Sequence, residues 1–138
     1  MKGLDFFVEG TPRGFSRAGA VTRRTPKAQR EWRSVVVWTF IDEHCRCFPG
    51  ETWARNGSYI GRAAIAITVY GSTADGSNLL KEIEDALNGV AYRDDRQIVS
   101  GSFTVTGVSL NAEGKVIRTR RHDKPGVLIS ITWIDAES

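Results

Sequence analysis

Leu79, Leu80, Ile83, Ala86 and Leu87 recur at the three- and four-residue spacing that sets apolar side chains along one stripe of an α-helix. The stripe is bracketed. Asp75 stands where an N-cap belongs, and Asn88–Gly89 ends the helix with the residue best able to adopt a left-handed conformation. On either side lie runs of strand character, "RAAIAITVY" from Arg62 to Tyr70 and "QIVSGSFTVTGVSL" from Gln97 to Leu110. A helix that buries one stripe between two strands requires a sheet to lie on. With the helix starting at Gly76 or Ser77, the residues Ser77, Asn78, Lys81, Glu84, Asp85 and Asn88 turn away from the core.

The remaining elements extend that unit. "LDFFVEG" reads as a first strand, ended by Gly10, Pro12 and Gly14, and Phe15 to Arg24 as a surface loop. "TPKAQREWRSVVVWTFIDEHCRC" predicts a helix with Thr25 as N-cap and Pro26 in its first turn. Trp32, Val36, Phe40 and Ile41 face the core on this reading, Trp38 is placed there too, and Arg30 and Arg33 fall on other faces. After a turn at "NAEG", "KVIRTRR" returns as a strand, and "VLISITWI" closes the sheet with Val127, Ile129, Ile131 and Trp133 on one side. The order β–α–β–α–β–β–β predicts an α+β fold: a mixed β-sheet with two helices packed on one face. A length of 138 residues suits a single domain over 1–138.

Several classes are excluded on composition. The longest apolar run, "VVVWTFI" from Val35 to Ile41, is too short to cross a bilayer and reads as a buried helix segment. "MKGLDFFVEG" has neither the apolar core nor the cleavage site of a signal peptide, so a cytoplasmic protein is expected. Cys45 and Cys47 lie too close together for an unstrained disulfide. With His44 they crowd one helix end and cannot surround an ion, so all three read as structural.

Net charge is +3, but its distribution says more. Arg13, Arg17, Arg23, Arg24, Lys27, Arg30 and Arg33 fill the first quarter of the chain; Lys115, Arg118, Arg120, Arg121 and Lys124 form a second group. Acidic residues concentrate between them. Basic flanks around an acidic centre suit a polyanion gripped by the flanks, with chemistry in the middle. Taken singly, the central residues have ordinary readings. Asp75 is a helix cap, Asp94–Asp95 a solvated turn, and Lys81 with Asp85 an exposed pair one turn apart.

Together they match a pattern. "DGSNLLKEIEDALNGVAYRDDRQI" resembles the signature of RusA-type Holliday junction resolvases, a family common in phages and prophages: Asp-x-Asp-Asn, then Lys, then Asp-Ala-Leu, then paired aspartates before a strand. Asp75, Asn78, Lys81, Asp85, Ala86, Leu87, Asp94 and Asp95 match position by position. "FFVEGTPRG", "RTPKAQREWRSVV" and "KPGVLISI" are similar, more loosely, to the family's opening strand, its Pro-led helix and its closing strand. The resemblance implies a homodimeric, magnesium-dependent endonuclease, with manganese a substitute ion, cutting branched DNA in the bacterial cytoplasm. It implies catalytic roles for Asp75, Lys81 and Asp95, and metal ligation by Asp75, Asp94 and Asp95. DNA contacts are expected from Arg13, Arg17, Arg23, Arg24, Lys27, Arg30 and Asn78.

The departure from the pattern is Ser77, which stands where the family has its second aspartate. Magnesium is a hard cation that takes oxygen ligands, and a hydroxyl supplies no charge, so Ser77 is expected to be a weak metal ligand. Asp94 or Glu84 is a possible compensating carboxylate, Glu84 lying two turns along the helix. The alternative is a junction-binding protein that grips without cutting. The nuclease reading requires the strand–helix–strand path to bring Asp75 and Asp95 to the same end of the sheet.

Overall fold

In the computed structural model, residues 1–10, 27–51, 53, 56–70, 75–106, 108–110, 112–118 and 125–136 are described. The elements in chain order are β1 (Lys2–Glu9), α1 (Lys27–Cys47), β2 (Ala63–Tyr70), α2 (Gly76–Leu87), a 3-10 turn (Asp95–Gln97), β3 (Ile98–Thr106), β4 (Val108–Leu110), β5 (Val116–Arg118) and β6 (Gly126–Trp133). The α+β class and mixed sheet are as the sequence predicts, with one refinement. The strand read over 97–110 is two: β3 joins the main sheet, while β4 pairs, among the described residues, with β5 in a separate ribbon. The expected cap at Thr25, Pro26 and the loop before them lie outside the described residues.

The main sheet runs β1-β6-β2-β3. β6 is antiparallel to both neighbours, pairing Ile131 with Leu4 on one side and with Ile65 on the other. β2 and β3 are parallel, Ala63 opposite Ile98 and Tyr70 opposite Thr106. Alternation sorts the side chains. Leu4, Phe6 and Val8 of β1, Ala63, Ile65, Ile67 and Val69 of β2, and Val127, Ile129, Ile131 and Trp133 of β6 all bury on one face. Both helices lie on that face and close the core with Trp32, Val36 and Phe40 from α1 and Leu79, Ile83 and Leu87 from α2. Trp38 corrects the expectation: it is 64% exposed. It sits two residues from Val36 on a helix whose buried line is Trp32, Val36, Phe40 and His44, and so points to the opposite side.

His44 completes that line inside a cage of aromatic rings, those of Phe40, Phe48, Trp53 and Trp133, with centroids 5.2 to 6.0 Å away. Trp53 stacks in turn on Tyr59 and Trp133. The cluster anchors one end of the sheet. It also explains why Phe48, Trp53 and Tyr59, aromatic residues in an otherwise polar loop, are drawn onto the core.

The two helices are locked together by an ion pair that helical periodicity hides. Glu82 lies on the buried side of α2 beside Ile83, with a side chain only 1% exposed. Arg33 of α1 meets it through two hydrogen bonds, one from Nε to Oε1 and one of 3.0 Å from Nη2 to Oε2. The buried carboxylate raises the Arg33 guanidinium above its ordinary value. A paired, buried carboxylate contributes little net stability but is costly to strand. Arg33→Met is therefore expected to lower unfolding free energy by about 3 kcal/mol, whereas Arg33→Met with Glu82→Met together recovers most of that loss. Denaturant titrations of the two singles and the double measure the coupling.

Candidate active site

α2 begins where Asp75 stops extended backbone. The Asp75 Oδ1 atom accepts from the Ser77 amide at 2.9 Å, the Asn78 amide at 3.3 Å and the Ser77 hydroxyl at 2.7 Å. Two amide donors at the helix start are thus satisfied, and the helix dipole further favours the negative charge there. Gly76 permits this start for a steric reason: a Cβ on it would come within 2.3 Å of the Phe103 ring on β3. The N-terminal turn of α2 accordingly rests on Phe103. Ser77 does not point outward as an independent ligand but turns its hydroxyl back onto Asp75. An aspartate at this position would set a second charge against the first and call for a cation; serine supplies a third hydrogen bond instead.

At the other end, the helix stops at Asn88, and Gly89 takes φ +80°. The return to β3 is fastened at many points. Trp133 Nε1 donates to the Ala91 carbonyl at 2.9 Å, and the Tyr92 hydroxyl donates to the Glu84 carbonyl. Gln97 Nε2 reaches the carbonyls of Tyr59 and Gly61, each at 2.8 Å. Gly57 packs so closely on Gly89 that a Cβ would lie 2.2 Å from its carbonyl oxygen, and its φ of +67° also suits glycine. Asp94 caps the 3-10 turn, accepting from the Arg96 amide at 3.0 Å while its own amide donates to Gln97 Oε1 at 2.8 Å. Asp94 and Asp95 are thereby held beside the start of β2 and β3.

The electrostatics at this end are those of crowded carboxylates. The Arg96 amide and the Asp95 side chain hold Asp94 below its ordinary value. Asp95 is pushed up, first by Asp94 and by burial, then by the charges of Asp94 and Asp85. Glu84 is raised by burial above all, with Asp85 and Asp95 adding to it and Lys81 opposing. Glu84, Asp85, Asp94 and Asp95 therefore form one electrostatic group, and Lys81, exposed halfway along α2, is near enough to be felt in it.

Asp75 is not in that group. β2 and β3 are parallel, so the helix joining them must run back along the length of the sheet. Asp75 stands at one end of α2 and Asp95 past the other, separated by roughly the 18 Å rise of a twelve-residue helix. The convergence expected from the sequence does not occur within one chain. Among the described residues, no three of His, Cys, Asp and Glu come together to hold a metal ion. Among the described residues of one copy, Asp75 and Asp95 do not meet on a single ion.

Of the proposed DNA contacts, Lys27 and Arg30 are exposed at the start of α1, where Lys27 lies 3.8 Å from Glu31. Asn78 is half-buried with its amide on Asp75. Arg13, Arg17, Arg23 and Arg24 lie outside the described residues. Glu82 and Tyr92 are the residues that pattern reading missed. Glu82 carries a signal after the fact, being a charged residue inside the buried stripe between Leu79 and Ile83.

The family model described as "Endodeoxyribonuclease RusA" matches residues 9–132. The chain belongs to the RusA endodeoxyribonuclease family. The match takes in both helices, β2, β3 and nearly all of β6, and makes the chain a hydrolase of DNA phosphodiester bonds although Asp75 and Asp95 do not converge within one copy. A comparison with curated proteins finds no match. For a RusA-family enzyme, the capping role of Asp75 has a practical consequence: charge and fold are separable there. Asp75→Ala is expected to cost about 1 kcal/mol of stability, while Asp75→Asn, an equally good cap, costs only a few tenths. Thermal unfolding of both variants checks this, and licenses Asp75→Asn as a probe of the charge alone.

Proposed function

We propose that this RusA-family endodeoxyribonuclease is magnesium-dependent, acts as a homodimer and resolves Holliday junctions or similar branched DNA in recombination and repair. The family match over nearly the whole chain is the observation that carries the reading. Magnesium, or manganese in its place, would supply an activated water and neutralise the crowded charge of the phosphate. The chain's own residues have the matching chemistry. Asp75 presents a carboxylate held in place by the helix start. The Lys81 ammonium, exposed on α2, is suited to hold the scissile phosphate. Asp95, raised by its neighbours, takes up a proton more readily than an isolated aspartate and suits proton transfer at the attacking water or the leaving oxygen. Lys27 and Arg30, with Arg13, Arg17, Arg23, Arg24 and Asn78, would hold the DNA backbone. Two active sites related by a twofold axis match the approximate symmetry of a four-way junction.

A second reading has an observation in its favour. With Ser77 hydrogen-bonded to Asp75, the first turn of α2 carries one carboxylate where the family pattern carries two, and weak or lapsed cleavage with retained junction binding would follow. Nicking and mobility-shift assays on one labelled four-way junction separate the two. The nuclease reading expects cleavage in magnesium or manganese that Asp75→Asn abolishes, with Ser77→Asp lowering the metal concentration needed for half-maximal rate several-fold. Binding without nicking at any concentration of either ion would leave the lapsed enzyme. Phosphate contacts further predict affinity that falls steeply with salt, and Lys27→Ala with Arg30→Ala should reduce the log–log salt slope by about 2.

A further inference from the structure

Close to Asp94 and Asp95 the surface holds a cavity that the cleavage scheme leaves unused. It opens at the end of the sheet where β1, β2 and β3 begin and β6 finishes, with Lys2, Glu51, Trp53, Tyr59, Ile60 and Asp135 in its lining. Its volume is about 480 Å³, within the range of sites that take small organic groups. The wall is aromatic and fixed. Trp53 and Tyr59 pack with ring centroids 4.7 Å apart, and Trp53 meets Trp133 edge-on at 5.2 Å. The Tyr59 hydroxyl donates to the Arg62 carbonyl at 3.2 Å and accepts from the Asp135 amide at 3.1 Å, which sets its ring in place. Ile60, next to it, is 69% exposed.

The charges around this wall are already matched. Lys2 Nζ lies 2.6 Å from both Glu51 carboxylate oxygens, and over the Phe48 and Trp53 rings at 4.6 and 5.8 Å from their centroids. Arg62 holds Asp135 twice, from Nη2 to Oδ1 and from its backbone amide to Oδ2, each at 2.8 Å. Lys2 keeps the Glu51 carboxyl below its ordinary value, and Arg62 takes Asp135 down to about 2, so both acids stay ionised and paired near neutral pH. A phosphate entering here would meet two carboxylates, and a cation would have to displace Lys2 or Arg62. What suits the space is an uncharged, flat, aromatic group with a polar edge.

The neighbouring turn says what such a group is attached to. The Tyr59 carbonyl accepts from the Arg93 amide at 3.1 Å, and Gln97 Nε2 donates to the Tyr59 and Gly61 carbonyls while its Oε1 accepts from the Asp94 amide. The cavity wall and the Asp94–Asp95 turn are thus one piece of structure. Arg93 and Arg96 stand exposed on either side of the two aspartates, and the Arg62 side chain is 62% exposed. A neutral aromatic cavity bordered by exposed guanidiniums suits a base flanked by its own phosphates. We infer that this cavity takes an unpaired nucleobase of branched DNA, stacked on Trp53 and Tyr59, with Arg93 and Arg96 on the adjoining phosphates. The inference rests on the reading of the chain as a nuclease of branched DNA, and adds to it a contact made to a base rather than to the backbone. A nucleotide drawn out here brings its strand beside Asp95, and it is drawn out at least cost where pairing is already broken, at the branch point.

Two four-way junctions test it, one with a single unpaired adenine at the branch point and one with an abasic residue in its place, both bound with calcium in place of magnesium. The wild type is expected to bind the first at least about five-fold more tightly. Trp53→Ala abolishes the difference and Trp53→Phe retains it, and neither changes the salt slope, since no phosphate contact is lost. Trp53 also packs on the core, so Ile60→Ser serves as the variant confined to an exposed side chain, and it narrows the difference. With 5-iodouracil in the unpaired position, near-ultraviolet irradiation joins the DNA to Trp53 or Tyr59. Equal wild-type affinity for the two junctions, or cross-links confined to peptides outside 51–61 and 133–136, overturns the inference. If the wild type cuts junctions yet shows no preference for the unpaired base, the inference fails and the nuclease reading stands. If it prefers the unpaired base and does not cut in magnesium or manganese, the nuclease reading fails and the cavity assignment stands. Absence of binding to either junction removes both.

Discussion

The parallel pairing of β2 with β3 governs the placement of nearly everything else. Two parallel strands joined by a helix force that helix to travel the length of the sheet, so whatever precedes the helix and whatever follows it are set at opposite ends. α2 does this with a buried stripe of Leu79, Ile83 and Leu87, and with Gly76 admitting Phe103 beneath its first turn. The residues proposed for the chemistry ride on that crossing: Asp75 at its start, Lys81 midway, Asp94 and Asp95 after its end. Their separation is a property of the connection, and no rotamer change removes it.

Around this unit the fold spends buried polar contacts on fixing α2 rather than on filling space. Arg33 holds it to α1 through Glu82, Tyr92 holds its last turn through the Glu84 carbonyl, and Trp133 holds the chain leaving it through Ala91. For the proposed nuclease centre that rigidity matters, because phosphodiester cleavage needs its carboxylates and ammonium preset to the geometry of the transition state. On this tied backbone Asp85 raises the proton affinity of both Glu84 and Asp95, and Asp95 adds to that of Glu84.

Much of the architecture was legible because period and punctuation agree locally. The apolar stripe of α2, its cap at Asp75 and its stop at Asn88–Gly89 are all short-range signals, and each stands where the pattern puts it. The line Trp32, Val36, Phe40 on α1 and the alternation of Val127, Ile129, Ile131 and Trp133 on β6 were equally plain. Trp38 was not, because hydrophobicity suggests burial while helical phase decides it. Glu82 was not, because a carboxylate in a buried stripe depends on an arginine forty-nine positions away. The break between β3 and β4 was hidden as well, since one continuous run of strand formers does not announce where it leaves a sheet.

By itself, then, the sequence determined the helix that carries the proposed site residues and the family to which the chain belongs, because those are recorded in local spacing. Only the tertiary structure decided how far apart they stand. Strand direction is set by pairing between distant segments, and a parallel β2–β3 pair places Asp75 and Asp95 at opposite ends where an antiparallel one would have allowed them to meet.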